Sequence, residues 1–98
     1  MSAPIIRAVE YCGDEVGVVD SAGRVAAAIL AAAETEPVVT VSMAGLSGIP
    51  SSFFNVILGD VAAVMGVEQL ASRLVVTGLS AFQSRIFERS LSALSRTG

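Results

Sequence analysis

Apolar and polar positions along the chain fall into short runs separated by turn residues. Ile5 to Tyr11 alternate loosely, and a second apolar run, Val16 to Val19, follows Cys12-Gly13-Asp14-Glu15. Gly13-Asp14 predicts a two-residue hairpin turn, because glycine accepts positive φ at the first central position. Asp20 or Ser21 then caps a helix reaching about Glu34, in which Val25, Ala28, Ile29 and Ala32 repeat at i, i+3, i+4 and i+7. Its alanine content favours the helical state. Pro37 closes the Glu34-Thr35-Glu36 break. Val38 to Met43 is a β-branched run too uniformly apolar for a half-exposed strand, so it reads as a central, buried one.

After the turn Ala44-Gly45-Leu46-Ser47-Gly48-Ile49-Pro50, Ser51 or Ser52 opens a helix that runs to Met65 and stops at Gly66. Phe53, Phe54, Ile57, Leu58, Val61, Val64 and Met65 share one arc of about 140°, wider than a single core face requires. Leu74 to Thr77 is a short strand. Ser80 with Gln83 is a capping-box pattern for a last helix to about Leu94, with Phe82, Ile86, Phe87, Ser90, Leu91 and Leu94 inward and Arg85, Glu88, Arg89 and Ser92 outward. The order ββαβαβα predicts an α/β fold: a mixed four-stranded sheet with right-handed crossovers, packed with three helices. No linker or repeat divides residues 1–98, which read as one domain.

Composition narrows the chemistry. Of 98 residues 53% are hydrophobic and 15% charged, enough to close a core. The six basic residues are all Arg against nine acids, a net charge of -3, so no nucleic-acid partner is expected. There is no His and one cysteine, Cys12, which excludes Ser-His and Cys-His pairs and the usual zinc sets. Cys12 reads as a small packed residue. Gly45 and Gly48 lack the Lys of a phosphate-binding loop and read as turn glycines, and no cofactor is expected. Asp14, Glu15, Glu34 and Glu36 fall in predicted turns, so no catalytic pair is assembled and a non-enzyme is expected. Pro37 to Gly59 carries no charge and is long enough to span a membrane, but its prolines and glycines break it, so no span is expected. No signal-peptide run precedes it, which points to the cytoplasm.

The segment Val38 to Gly59, VVTVSMAGLSGIPSSFFNVILG, resembles the STAS superfamily, the fold of bacterial anti-sigma-factor antagonists, and is most similar to its STAS-like branch of small bacterial proteins. In the antagonists a buried strand ends in an Asp-Leu-Ser-Gly-like turn. A hydrophobic residue, Asp, two Ser residues and a Gly then open a helix. Ser42-Met43-Ala44-Gly45 takes the place of the first element and Ile49-Pro50-Ser51-Ser52-Phe53 that of the second. Both acidic positions are replaced, by Ser42 and Pro50, and the Gly by Phe53.

The resemblance implies a regulatory module that binds a protein partner, kinase-like or of anti-sigma type, through the 44–54 loop and the following helix. Ser51, the counterpart of the serine a kinase modifies, and Ser52 are then the candidate phosphorylation sites. Gly48, Pro50, Ser51, Phe54 and Leu58 are the candidate partner contacts. Read from the residues alone, Ser51 and Ser52 are also ordinary helix caps worth about 1 kcal/mol. A second class of function stays open: a structural subunit that self-associates, as a homodimer for instance, with Phe54 and Leu58 either in the core or at the contact.

Overall fold

The computed structural model describes residues 5–12, 17–46 and 49–97, without the side chains of 18 and 95–97. Its elements are β1 (Ile5–Arg7), a 3-10 turn (Ala8–Tyr11), α1 (Val18–Ala33), β2 (Val39–Ser42), α2 (Ser51–Met65), α3 (Val67–Arg73), β3 (Leu74–Thr77) and α4 (Ala81–Thr97). Among the described residues three strands form one sheet in the order β1-β2-β3, with β2 central as expected. Both pairings are parallel: Ile6 lies beside Val41, and Val41 beside Val76.

This corrects the mixed four-stranded sheet. The predicted hairpin turn at Gly13-Asp14 and Val16 lie outside the described residues. Val18 and Val19, read as strand, instead open α1 behind Gly17, whose carbonyl accepts the Ser21 amide at 2.9 Å. That earlier start puts Ser21, Ala22, Val25, Ala26 and Ile29 on one buried stripe. Burial of the stripe outweighs the small helical penalty of two valines. Only Ile5–Arg7 of the first run is extended, and the rest tightens into the 3-10 turn.

Register decides which way each strand faces. Ile6, Val39, Val41, Met43, Leu74 and Val76 share one face, buried or half-buried, and Ile5, Thr40, Val75 and Thr77 share the other, which is more exposed. Successive parallel strands step the same way across the sheet, so right-handed crossovers carry α1 and α2 to the same side. They pack extensively on each other there, and α4 packs on the far flank of α2. Hence α2 is the middle of a row of three helices. Its neighbours on both flanks, with α3 below, account for the wide apolar arc: Phe53, Phe54, Ile57, Leu58 and Val61 are all buried. Val64, on the same arc, is 71% exposed where the row ends.

No element is expected from the sequence over 67–73, yet these residues form α3. Gly66, at φ +87°, ends α2 and starts α3, and the axis turns by 111° there. The turn drives Leu70 into the core. No single described helix is long and apolar enough to cross a membrane.

Arg73 ties this end of the sheet together. Its Nη2 donates to the carbonyls of Ala33 (2.6 Å) and Glu36 (2.8 Å), and its Nε to that of Pro37 (3.0 Å). The guanidinium therefore closes the C-terminus of α1, where the helix dipole and orphan carbonyls favour a cation. Replacing Arg73 by Ala is expected to lower unfolding free energy by about 2 kcal/mol, with Lys recovering part, because hydrogen bonds to a charged group are the strong ones. Urea unfolding checks this. A loss below about 0.5 kcal/mol would make the clamp incidental.

Candidate protein-binding surface

Parallel α/β sheets present their functional loops at the carboxyl ends of the strands. Here two loops meet at that end. The first leaves β2. Met43 donates its amide to the Thr77 carbonyl at 2.8 Å, extending the ladder by one residue, and Leu46 donates to the Met43 carbonyl at 3.2 Å, closing a turn with Gly45 at φ +89°. The Ala44 amide is held by the Ser42 hydroxyl at 3.3 Å. Ile49 is buried and Pro50 exposed. The Pro50 carbonyl accepts the Phe53 amide at 3.1 Å, so Pro50 is the N-cap of α2.

Ser51 and Ser52 are thus the first two residues of the helix, both exposed, and no side chain caps it. The expected serine cap is corrected. Pro50 holds the extended backbone that a cap requires, which leaves Ser51 one position too late to reach back to the free amides. Two hydroxyls stand in solvent at a helix start while Phe53 and Phe54 behind them point inward, ring centroids 6.1 Å apart and edge to face.

The second loop leaves β3. Gly78 has φ +75°, and a Cβ there would lie 2.6 Å from the Ala44 nitrogen. Only glycine lets the two loops touch. Next comes the capping box the sequence predicts: Gln83 donates its amide to Ser80 Oγ at 3.1 Å, and the Ser80 amide donates to Gln83 Oε1 at 3.0 Å. Gln83 Nε2 also reaches the Leu46 carbonyl at 3.5 Å. The starts of α2 and α4 are thereby held as one surface.

Of the candidate contacts, Pro50 and Ser51 stand on this surface with Ser52, and Gly48 lies outside the described residues. Phe54 and Leu58 do not stand on it. Each is 1% exposed, and Phe54 packs edge to face on Phe87 of α4 at 5.6 Å. Their burial withdraws them from direct contact with any partner, because α4 already covers that flank of α2. Phe82 is the opposite case: expected inward, it is 72% exposed. It lies off the axis of the stripe formed by Phe87, Ser90 and Leu94. Gly78 is not among the residues that the sequence singles out, and its signal there is a lone glycine directly after a strand.

Chemistry elsewhere is sparse. Among the described residues no group of three or more His, Cys, Asp or Glu comes together. The groove of about 390 Å³ lined by Leu30, Glu34, Val64, Met65 and Arg73 lies at the opposite end of the helices. Arg85 and Arg89 are exposed and Cys12 is half-buried, as expected.

Among the described residues, one parallel sheet, one layer of helices and two loops pinned together at the strand ends define a small α/β domain. The chain belongs to the STAS-like family: the model described as STAS-like domain of unknown function (DUF4325) matches residues 21–81, from α1 through the start of α4. No curated protein and no solved structure matches the chain.

Gly78→Ala is expected to destabilise the domain by about 2 kcal/mol or more, since a left-handed conformation costs an L-residue roughly 1–2 kcal/mol and the added methyl also displaces Ala44. The amide NMR signals of Met43 to Leu46 should shift with it. Unchanged stability and signals would mean that the loops do not touch. Phe54→Ala should cost about 3–5 kcal/mol, as for a core aromatic. Retention of full stability in denaturant would return Phe54 to the surface.

Proposed function

We propose that the chain is a non-enzymatic regulatory module that binds a protein partner through the 44–52 loop and the start of α2, with phosphorylation of Ser51 or Ser52 as its switch. The observation that carries this reading is the pair of exposed hydroxyls at the first two positions of α2, free of any capping duty, on a surface held by a second loop. A phosphate placed there adds nearly two negative charges beside a helix N-terminus, which changes what the surface attracts without disturbing the core beneath. The family match supports the reading, and so does the counterpart relation of Ser51 to the serine modified in anti-sigma-factor antagonists. The partner is then a kinase-like or anti-sigma-type regulator. The departures at Ser42, Pro50 and Phe53 remove two carboxylates from the antagonist pattern, so partner and kinase recognition rest on the neutral loop and the helix start.

The test is affinity capture of the partner from the native cell, followed by titration of the purified partner. Ser51→Asp should weaken binding by about tenfold or more, while Ser51→Ala stays within about twofold, since no cap is lost with the hydroxyl. Equal losses from both substitutions would refute the switch. A captured partner indifferent to Ser51→Asp and to changes at Gly45 and Pro50 would refute the surface.

A further inference from the structure

β3 closes one side of the sheet, and its outer edge has no neighbouring strand among the described residues. The Met43 amide donates to the Thr77 carbonyl, so Thr77 turns its main-chain groups toward β2, and Val75, two residues earlier, does the same. The carbonyls of Leu74 and Val76 and the amides of Val76 and Gly78 therefore point away from the sheet. None of these four groups has a partner among the described residues, whereas the Leu74 amide is taken by the Leu70 carbonyl. Natural edges are commonly guarded by charge or proline, and Leu74–Thr77 holds neither. The adjacent charge, Arg73, is turned back onto the carbonyls of Ala33, Glu36 and Pro37, on the β2 side of the strand.

The two layers also differ in width. Helices pack about 8–10 Å apart and strands about 4.8 Å apart. With α1 lying over β1 and β2, the row α1-α2-α4 reaches past β3 on the side of its free edge. Residues facing the helix layer are less covered there than in the middle of the sheet. Leu74 and Val76 of β3 and Phe87 of α4 are half-buried, while Val39 and Val41 of β2 are at most 1% exposed. A further strand beside Val76 would cover them.

What complements a row of unpaired N–H and C=O groups is another extended backbone. Two copies of this chain joined edge to edge would each bring an overhanging α4 into the space of the other, so the fitting occupant is a strand with no helix layer of its own. We infer that the β3 edge is a second binding site, separate from the Ser51 surface, that takes an extended segment of a protein partner as a fourth strand. Main-chain hydrogen bonds to Leu74, Val76 and Gly78 fix its register. Its alternate side chains are apolar where they join Leu74 and Val76 on the helix side of the sheet. The site goes beyond the serine switch and does not depend on it.

A random-peptide phage-display library selected on the full chain supplies the probe. Enriched peptides should alternate apolar and polar residues and lack proline. When one such synthetic peptide is added to the labelled chain, the Val76 and Gly78 amide signals should shift and exchange with deuterium more slowly, because each gains an acceptor. N-methylation of alternate peptide amides should weaken binding by about tenfold or more, and of the amides between them by no more than about twofold, since only every second one faces β3. Val76→Pro should also abolish binding, because it removes an outward amide that the ladder to β2 does not use. Should that variant fail to fold, the N-methyl series on the unaltered chain decides. Peptides that bind with Val76 and Gly78 unmoved, an N-methyl series without a period of two, or an absence of enriched peptides overturns the inference. Sedimentation showing self-association of the chain alone, with Val76 and Gly78 already slow to exchange, would give the edge to a second copy and overturn it as well.

Discussion

The surface at the strand ends depends on a missing side chain. With hydrogen alone at Gly78, the β3–α4 turn lies against the backbone of Ala44, where a Cβ would approach to 2.6 Å. Backbone packed on backbone cannot yield as a flexible side chain does, so this contact fixes the spacing between the two loops. The reach of Gln83 to Leu46 adds a second tie across the same gap. Two helix starts that belong to different crossovers are therefore presented together, with Ser51, Ser52 and Phe82 on them. At the other end of the sheet Arg73 does the corresponding work through three main-chain carbonyls. Between these two fastenings lies the apolar core, centred on α2.

The position of α2 explains where the apolar surplus goes. A helix at the edge of a layer needs a stripe of about 100°, but a helix with α1 on one flank, α4 on the other and a sheet beneath needs more. The arc from Phe53 to Val61 is buried inside the chain, with Phe54 edge to face on Phe87, and only Val64 at its end is largely exposed. Self-association through Phe54 and Leu58 loses its basis. Exposed large apolar residues that remain, Ile5, Val19, Val38, Val64, Val75 and Phe82, are spread over several elements. Phe82 is distinguished among them by its place within the Ser80–Gln83 capping box at the start of α4.

Much of this fold is legible in the sequence, for reasons that differ by element. The Ser80–Gln83 box forms with both of its bonds, because a capping motif is local and little in the fold competes with it. The run ending at Met43 is central, since β-branched residues without charge suit a strand flanked on both sides. The run Val16 to Val19 misleads: four residues do not distinguish a strand from a helix start, and the stripe from Ser21 to Ile29 decides it. Phe54 and Leu58 mislead for a different reason. Their burial depends on α4, some thirty residues away, and a single-helix wheel contains no information about a second helix on its flank. Of the candidate surface, the Pro50-Ser51-Ser52 portion is visible in the sequence and the α4 portion is not, because only the fold brings Gly78 to Ala44.

On the proposed reading, a partner meets this chain at the carboxyl ends of the strands and across both helix starts. The most direct measurement is amide NMR of the labelled chain titrated with the purified partner. The signals of Ala44, Gly45, Ser51, Ser52 and Ser80 to Phe82 are expected to move together, while those of Ile5, Thr40 and Val75 on the more exposed sheet face stay in place. Shifts concentrated at Ile5, Thr40 and Val75, or around Val64 at the far end of α2, with the serines unmoved, would contradict it.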